Sequence, residues 1–131
     1  MASIYIHIPY CKQQCTYCNF YFRIAQKDKK EMLKSIKKEI KMRQKYLNNK
    51  EINSIYFGGG TPSILHKREI KSLINTLQNN FKIDSNAEIT LECNPDDLNK
   101  KKLHDLKEIG VNRLSIGIQS FNDIDLKFMN R

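Results

Sequence analysis

The sequence predicts an α/β fold, a partial (β/α) barrel of parallel strands built from about four βα units. Three observations predict it. Strand-like and helix-like runs alternate four times along 131 residues, and strands separated by helices pair in parallel through right-handed crossovers. The unusual residues are a cysteine cluster, a glycine run, a Glu-Cys-Asn-Pro step and a Gln-Ser step, and each follows the end of a strand-like run. Barrel-type α/β proteins keep their working residues at those strand ends. Finally, four units cannot close a barrel, because an eight-stranded one takes about 250 residues. One domain over residues 1–131 is expected, the N-terminal portion of a longer barrel.

The elements follow in order. Ser3 to Pro9 is the first strand, with Ile4, Ile6 and Ile8 on one face and Tyr5 and His7 on the other. The cysteine loop comes next, then an aromatic exit, Asn19-Phe20-Tyr21-Phe22. Asp28 to Leu47 reads as a long amphipathic helix whose apolar stripe is Met32, Leu33, Ile36, Ile40 and Leu47. The second strand, Ile52 to Phe57, ends in Gly58-Gly59-Gly60-Thr61-Pro62-Ser63. Ile70, Leu73, Ile74, Leu77 and Phe81 are spaced for a second helix. Ala87 to Cys93 is the third strand, ending at Asn94-Pro95-Asp96-Asp97. Leu98, Leu103, Leu106 and Ile109 mark the third helix, and Gly110 suits a left-handed cap. Asn112 to Ile118 is the fourth strand, ending at Gln119-Ser120. Asn122 caps a last helix that begins at Asp123 and runs on toward Arg131.

The formal net charge is +9. The lysines are spread over Asp28–Lys50 and Asn99–Lys107 without interleaved aromatics, which reads as a solvated surface rather than a nucleic-acid patch. No apolar run reaches membrane-spanning length, and residues 1–20 lack the pattern of a signal peptide. Clustered thiols without a secretory signal predict a reducing cytoplasm.

The chemistry centres on Cys11-Lys12-Gln13-Gln14-Cys15-Thr16-Tyr17-Cys18. Spacing this tight lets one loop wrap three sulfurs around a single metal centre, whereas a disulfide strands one of them. Iron–sulfur clusters are held by thiolates from such clustered motifs. Three loop thiols suggest a four-iron cluster with one iron open to a small ligand. Zinc ribbons use paired two-residue gaps instead. A basic zinc-stabilised nucleic-acid module, with Cys93 as fourth thiolate, is the competing reading. Cys93 follows Glu92, so it should face the other side of its strand as a small buried apolar residue. The glycine run brings backbone N–H groups close to a carboxylate or hydroxyl, or it is only a tight turn. Glu92 meets a ribose hydroxyl or an ammonium group, or pairs with a surface lysine. Gln119 is an amide in need of a partner, or a helix-entry residue. Tyr17 stacks on an adenine, or packs beneath the loop. His7 reads more readily as a satisfied strand residue than as a ligand.

Four segments in order carry a resemblance: Tyr5–Cys18, Phe57–Ser63, Glu92–Pro95 and Arg113–Phe121. They resemble the radical S-adenosylmethionine (SAM) superfamily and, within it, the oxygen-independent coproporphyrinogen III oxidase-like family, which includes the HemW-type heme chaperones. The resemblance implies that Cys11, Cys15 and Cys18 hold a [4Fe–4S] cluster whose open iron binds the amino and carboxylate groups of SAM. In active members one electron cleaves SAM to methionine and a 5′-deoxyadenosyl radical. The oxidase uses that radical to decarboxylate substrate propionates to vinyl groups. By matching position, Tyr5, Gly59 and Glu92 would contact the cluster-bound SAM. Tyr17, Gly60, Thr61, Gln119 and Arg131 match contacts to a second SAM. True oxidases carry a fourth cysteine two residues after the third; here that place is Phe20, as in the heme chaperone branch. The implied function is a heme chaperone that passes heme, or a porphyrin, to an acceptor protein and is served by an electron donor. Its heme site would lie downstream of this chain. The alternative is an active coproporphyrinogen III dehydrogenase. No nucleic-acid partner and no transmembrane segment are expected.

Overall fold

In the computed structural model, which describes residues 2–131, four strands lie parallel and in sequence order. β1 (Ala2–Ile8) pairs with β2 (Ile52–Gly59), β2 with β3 (Ile83–Cys93), and β3 with β4 (Arg113–Ile116). The connections carry α1 (Lys29–Met42), α2 (Lys67–Gln78) and α3 (Lys100–Glu108), and α4 (Asp123–Phe128) follows β4. Short 3₁₀ turns at Pro62–Ile64 and Pro95–Asp97 open the second and third connections. The α/β class and the open, partial barrel are therefore as the sequence predicts.

Strand alternation sorts the side chains into two faces. Ile6, Ile8, Ile55, Phe57, Ile89 and Leu91 face the helices and are buried with Leu33, Ile40, Ile70, Leu73, Ile74, Leu77 and Leu106 in one core. The opposite face carries Tyr5, His7, Tyr56, Thr90, Glu92 and Ser115. Helix starts are capped from the sequence itself. Glu69 accepts from the backbone N–H of His66 at 2.8 Å, Asn99 from Lys102 N–H at 2.8 Å and Asn122 from Ile124 N–H at 2.9 Å. Gly110 takes φ +99 after α3, the left-handed cap its position predicts.

Several boundaries differ from expectation. α1 ends at Met42 rather than Leu47. Arg43 to Lys50 turn through successive i→i+3 hydrogen bonds, with Asn48 and Asn49 at positive φ, and this returns Leu47 to the core. β2 keeps Gly58 and Gly59 in the ladder, paired with His7 and Ile8. β3 starts at Ile83, where polar Asp84-Ser85-Asn86 conceals a strand whose register against β2 shifts by a bulge. β4 stops at Ile116 because Gly117 N–H turns to Cys93 O and Gln119 adopts φ +69. Leu103 is exposed rather than part of the α3 stripe. α4 ends at Phe128 and does not continue to Arg131, since Asn130 at φ +54 turns the chain back. The outer edge of β4 is unpaired among the described residues, and Ile116, Ile118, Phe121, Ile124 and Phe128, in β4 and the segment after it, are exposed.

Leu73 is wholly buried at the centre of the α2–sheet contact. Leu73→Ala should lower the free energy of urea unfolding by about 2–5 kcal/mol. A loss below about 1 kcal/mol would show that α2 does not close the core.

Candidate metal and cofactor site

The cysteine loop has no regular structure of its own and is seated by backbone bonds. Cys11 N–H donates to Arg23 O at 3.1 Å and Arg23 N–H to Pro9 O at 2.6 Å, so the aromatic exit folds back along the loop's first strand. Gly60 N–H donates to Ile8 O at 2.8 Å and Thr61 N–H to Tyr10 O at 2.7 Å, docking the glycine turn beneath it. Tyr10 is buried, and its hydroxyl donates to Asp28 at 3.0 Å.

The glycines are there for clearance as well as for turning. Gly59 sits at φ +116, and a Cβ there would come within 2.8 Å of the His7 ring. A Cβ on Gly60 would lie 2.7 Å from Tyr10 O and 2.9 Å from Cys11 Sγ.

Cys11, Cys15 and Cys18 open on one cavity of about 540 Å³, together with Gly59, Gly60, Thr61, Glu92, Tyr17, Gln119 and Arg131. Of the predicted site residues only Tyr5 is missing from its wall. The Tyr5 ring stacks on Tyr56 at 6.0 Å, packs under Gly58, and its hydroxyl is 3.1 Å from His7 Nδ1. Glu92 is not a lysine-paired surface carboxylate. Its Oε1 accepts from Tyr56 at 2.7 Å and its Oε2 from Gly59 N–H at 3.1 Å. That bond, with burial behind it, pushes the Tyr56 phenol up. Thr61 is buried with its hydroxyl 3.4 Å from Cys11 Sγ. Burial pushes the Cys11 thiol up, and the Thr61 hydrogen bond pulls it back. Arg131 Nη1 lies 3.8 Å from Cys15 Sγ, while Nη2 donates to Asn94 Oδ1 at 2.7 Å and to Gly117 O. Gln119 is exposed at the cavity wall. Phe20 stands 77% exposed on the same wall, where a fourth thiol is absent.

All four cysteines are free. Cys93 is turned into the core as strand parity predicts, its thiol 3.5 Å from Leu91 O and pushed up to about 11 by burial. Among the described residues, the one trio of potential ligands lying within 4.8 Å of one another is His104, Asp105 and Glu108. Lys67 already occupies both of those carboxylates.

Several residues at the site escape sequence reasoning. Lys12 pairs with Asp96 at 3.0 Å and with Asp97, whose side chain is only 4% exposed and also accepts from Ser63. Nothing in the sequence marks Lys12 among so many lysines. Tyr56 was findable, because parity along β2 puts it on the face that carries Tyr5 and Glu92. On the far side of the loop, Gln13, Gln14 and Thr16 bond to Phe128–Asn130.

Comparison with known proteins agrees with the fold. The chain is 40% identical to the heme chaperone HemW of Buchnera aphidicola subsp. Schizaphis graminum, over 98% of this chain and 35% of that protein. It is 33% identical to the oxygen-independent coproporphyrinogen III oxidase of Salmonella typhimurium, over 98% of this chain and 29% of that protein. The solved structure of coproporphyrinogen III oxidase from Escherichia coli, described as a radical SAM enzyme, superimposes with a TM-score of 0.90 at 33% identity. The superposition covers 98% of this chain and 30% of that one. The chain thus spans about a third of the length of the curated relatives it matches. The radical SAM superfamily matches residues 5–131, and the chain belongs to that superfamily.

Proposed function

We propose that the chain is a heme chaperone of the radical SAM kind, with residues 1–131 as the N-terminal portion of its barrel core. The observation that carries this reading is the opening of three free thiols and one doubly anchored carboxylate on a single cavity. The relatives named heme chaperones support the same reading.

The donor set fits a [4Fe–4S] cluster better than a single ion. Three free loop thiols open on the cavity; a structural zinc takes four protein ligands, whereas in a cluster each thiolate takes a separate iron and one iron can stay open. The zinc module would also need Cys93, which is buried on the far face of β3. Cys11, Cys15 and Cys18 would hold three irons and leave the fourth for the amino and carboxylate groups of SAM. When bound, the cluster supplies the single electron on which radical SAM chemistry rests.

The chain's own residues would do the rest. The Glu92 carboxylate, held by Tyr56 and Gly59 N–H, faces the cavity as an acceptor for an ammonium or ribose hydroxyl of SAM. Gly59 and Gly60 let backbone come close enough to meet it. Tyr5 would act from beneath, through its stack on Tyr56. Tyr17, Thr61, Gln119 and Arg131 border the space where a second SAM would lie. Metal must displace the Cys11 proton that burial favours. Heme would bind outside residues 1–131 and pass to an acceptor protein. An electron donor and a reducing cytoplasm complete the proposal. No helix among the described residues is long and apolar enough to cross a membrane. Phe20 in place of a fourth thiol favours the chaperone over the oxidase; the oxidase relatives keep the second reading testable.

Anaerobic reconstitution should give a brown protein with about four irons per chain, and Cys15→Ser should bleach it. A colourless, zinc-loaded product would overturn the cluster reading. SAM- and reductant-dependent release of carbon dioxide from coproporphyrinogen III would replace the chaperone with the oxidase.

Cys93→Ala should retain the full iron content, since that thiol faces the core. In the native apo chain, iodoacetamide labelling of Cys93, followed by mass spectrometry, should accelerate as pH rises toward about 11, the range to which burial moves its proton. Cys93 labelling at pH 7 as fast as in the denatured chain would contradict this.

A further inference from the structure

The two spacers of the cysteine loop are tied to the far end of the chain by contacts that touch no sulfur. Gln13 Nε2 donates to Asn130 O at 2.8 Å, and Asn130 Nδ2 donates back to Gln14 O at 2.6 Å. Thr16 N–H donates to Met129 O at 3.1 Å and Thr16 Oγ1 to Phe128 O at 3.4 Å. Gln13 and Gln14 are two of the three residues between Cys11 and Cys15, and Thr16 opens the gap between Cys15 and Cys18. Asn130 makes its bonds from φ +54, a left-handed conformation that asparagine accepts better than most residues. The opposite side of the loop is held separately, by Lys12 on Asp97.

We propose that Gln13 and Asn130 are positioning residues for the cluster, holding the thiol loop in its metal-binding shape before iron arrives. The proposal rests on the cluster reading. A loop without helix or strand must otherwise be ordered at the moment of binding, and each ordered residue weakens the observed affinity. Interlocked amides, Gln13 in the loop and Asn130 in the turn after α4, remove part of that cost, because the ordering is already done when the domain folds. One bond holds the Gln14 carbonyl at the end of the longer spacer and the other ties the Gln13 side chain to Asn130 O, while the spacer has no backbone hydrogen bond of its own between Lys12 and Gln14 among the described residues. A neutral hydrogen bond is worth about a factor of two to ten in an equilibrium. Removing both amides should therefore be visible in iron retention.

The test uses the full chain, reconstituted anaerobically, as wild type, Gln13→Ala, Asn130→Gly, the double variant and Asn130→Asp. Glycine keeps the left-handed turn and deletes only the amide. Aspartate keeps the shape and the turn but cannot donate to Gln14 O. The readouts are the rate of iron transfer to a ferrous chelator, the line width of the reduced cluster's paramagnetic resonance signal, and urea unfolding of the apo chain. The double variant should release iron about tenfold faster than wild type, with each single variant in between and Asn130→Asp at least as fast as Asn130→Gly. The resonance signal should broaden as the loop samples more shapes, which a change in overall stability would not produce. Iron release and line width equal to wild type in a fully loaded double variant would overturn the proposal and leave the cluster reading standing. A wild-type chain that takes up no iron would instead remove the cluster reading itself. If the double variant does not fold, Gln13→Ala and Asn130→Asp decide the question singly.

Discussion

The parallel register of the sheet is the constraint from which the rest follows. Ile8 lies opposite Gly59, Phe57 opposite Leu91 and Cys93 opposite Ile116. In this register the parallel strands, though of unequal length, reach their C-terminal ends at one level. Pro9–Cys18, Gly60–Ser63, Asn94–Asp97 and Gly117–Ser120 therefore emerge on one rim, although some 100 residues separate the first from the last. Once there, they are joined by short bonds between neighbours. Gly60 and Thr61 bind the strand-end carbonyls of Ile8 and Tyr10, Ser63 accepts from Asn94 N–H, and Gly117 N–H reaches Cys93 O. A one-residue slip between β1 and β2 would turn Tyr5 and His7 into the core and lift the thiols off the glycine turn.

The two faces of the sheet divide the labour. The helix side is almost entirely aliphatic and supplies cohesion through buried area. The other side is polar, and its groups are aimed rather than merely tolerated. Thr90 is fully buried, yet its hydroxyl donates to Glu88 at 2.9 Å. Glu92 has one partner on each carboxylate oxygen. An acceptor fixed in this way presents a constant direction to a cation and needs little rearrangement when one arrives. The cysteine loop is flanked by charge on both sides, Lys12 on its Asp97 side and Arg131 near Cys15. At Cys11 burial pushes the thiol up, and the Thr61 hydrogen bond and the Arg131 charge pull it back.

Much of this was legible in the sequence because it depends on periodicity and spacing. The alternation of Ile4, Ile6 and Ile8, the 3.6-residue recurrence of Ile70, Leu73, Ile74 and Leu77, and the cap at Gly110 are local properties, and they carry the fold. The cysteine spacing and the segments around it likewise carry the family. Features set by distant contact were not legible. Asp84 to Asn86 look like a turn and join a strand because β2 and Asn53 are alongside. Leu103 has the spacing of a buried residue, but it is left 43% exposed. Asp97 reads as a surface acid in a polar turn and is buried because Lys12 and Ser63 arrive from elsewhere. Asn130 looks like mid-helix and is instead the pivot of a return turn.

The bare flank of β4 has a consequence for how the molecule behaves in company. Among the described residues its outer backbone amides and carbonyls pair with no further strand, and Ile116 at its end is exposed, which makes an adhesive seam. Any fifth strand laid along it would extend the ladder and shelter that side chain in one motion. The rim that gathers the thiols would lengthen by one more loop as it did so.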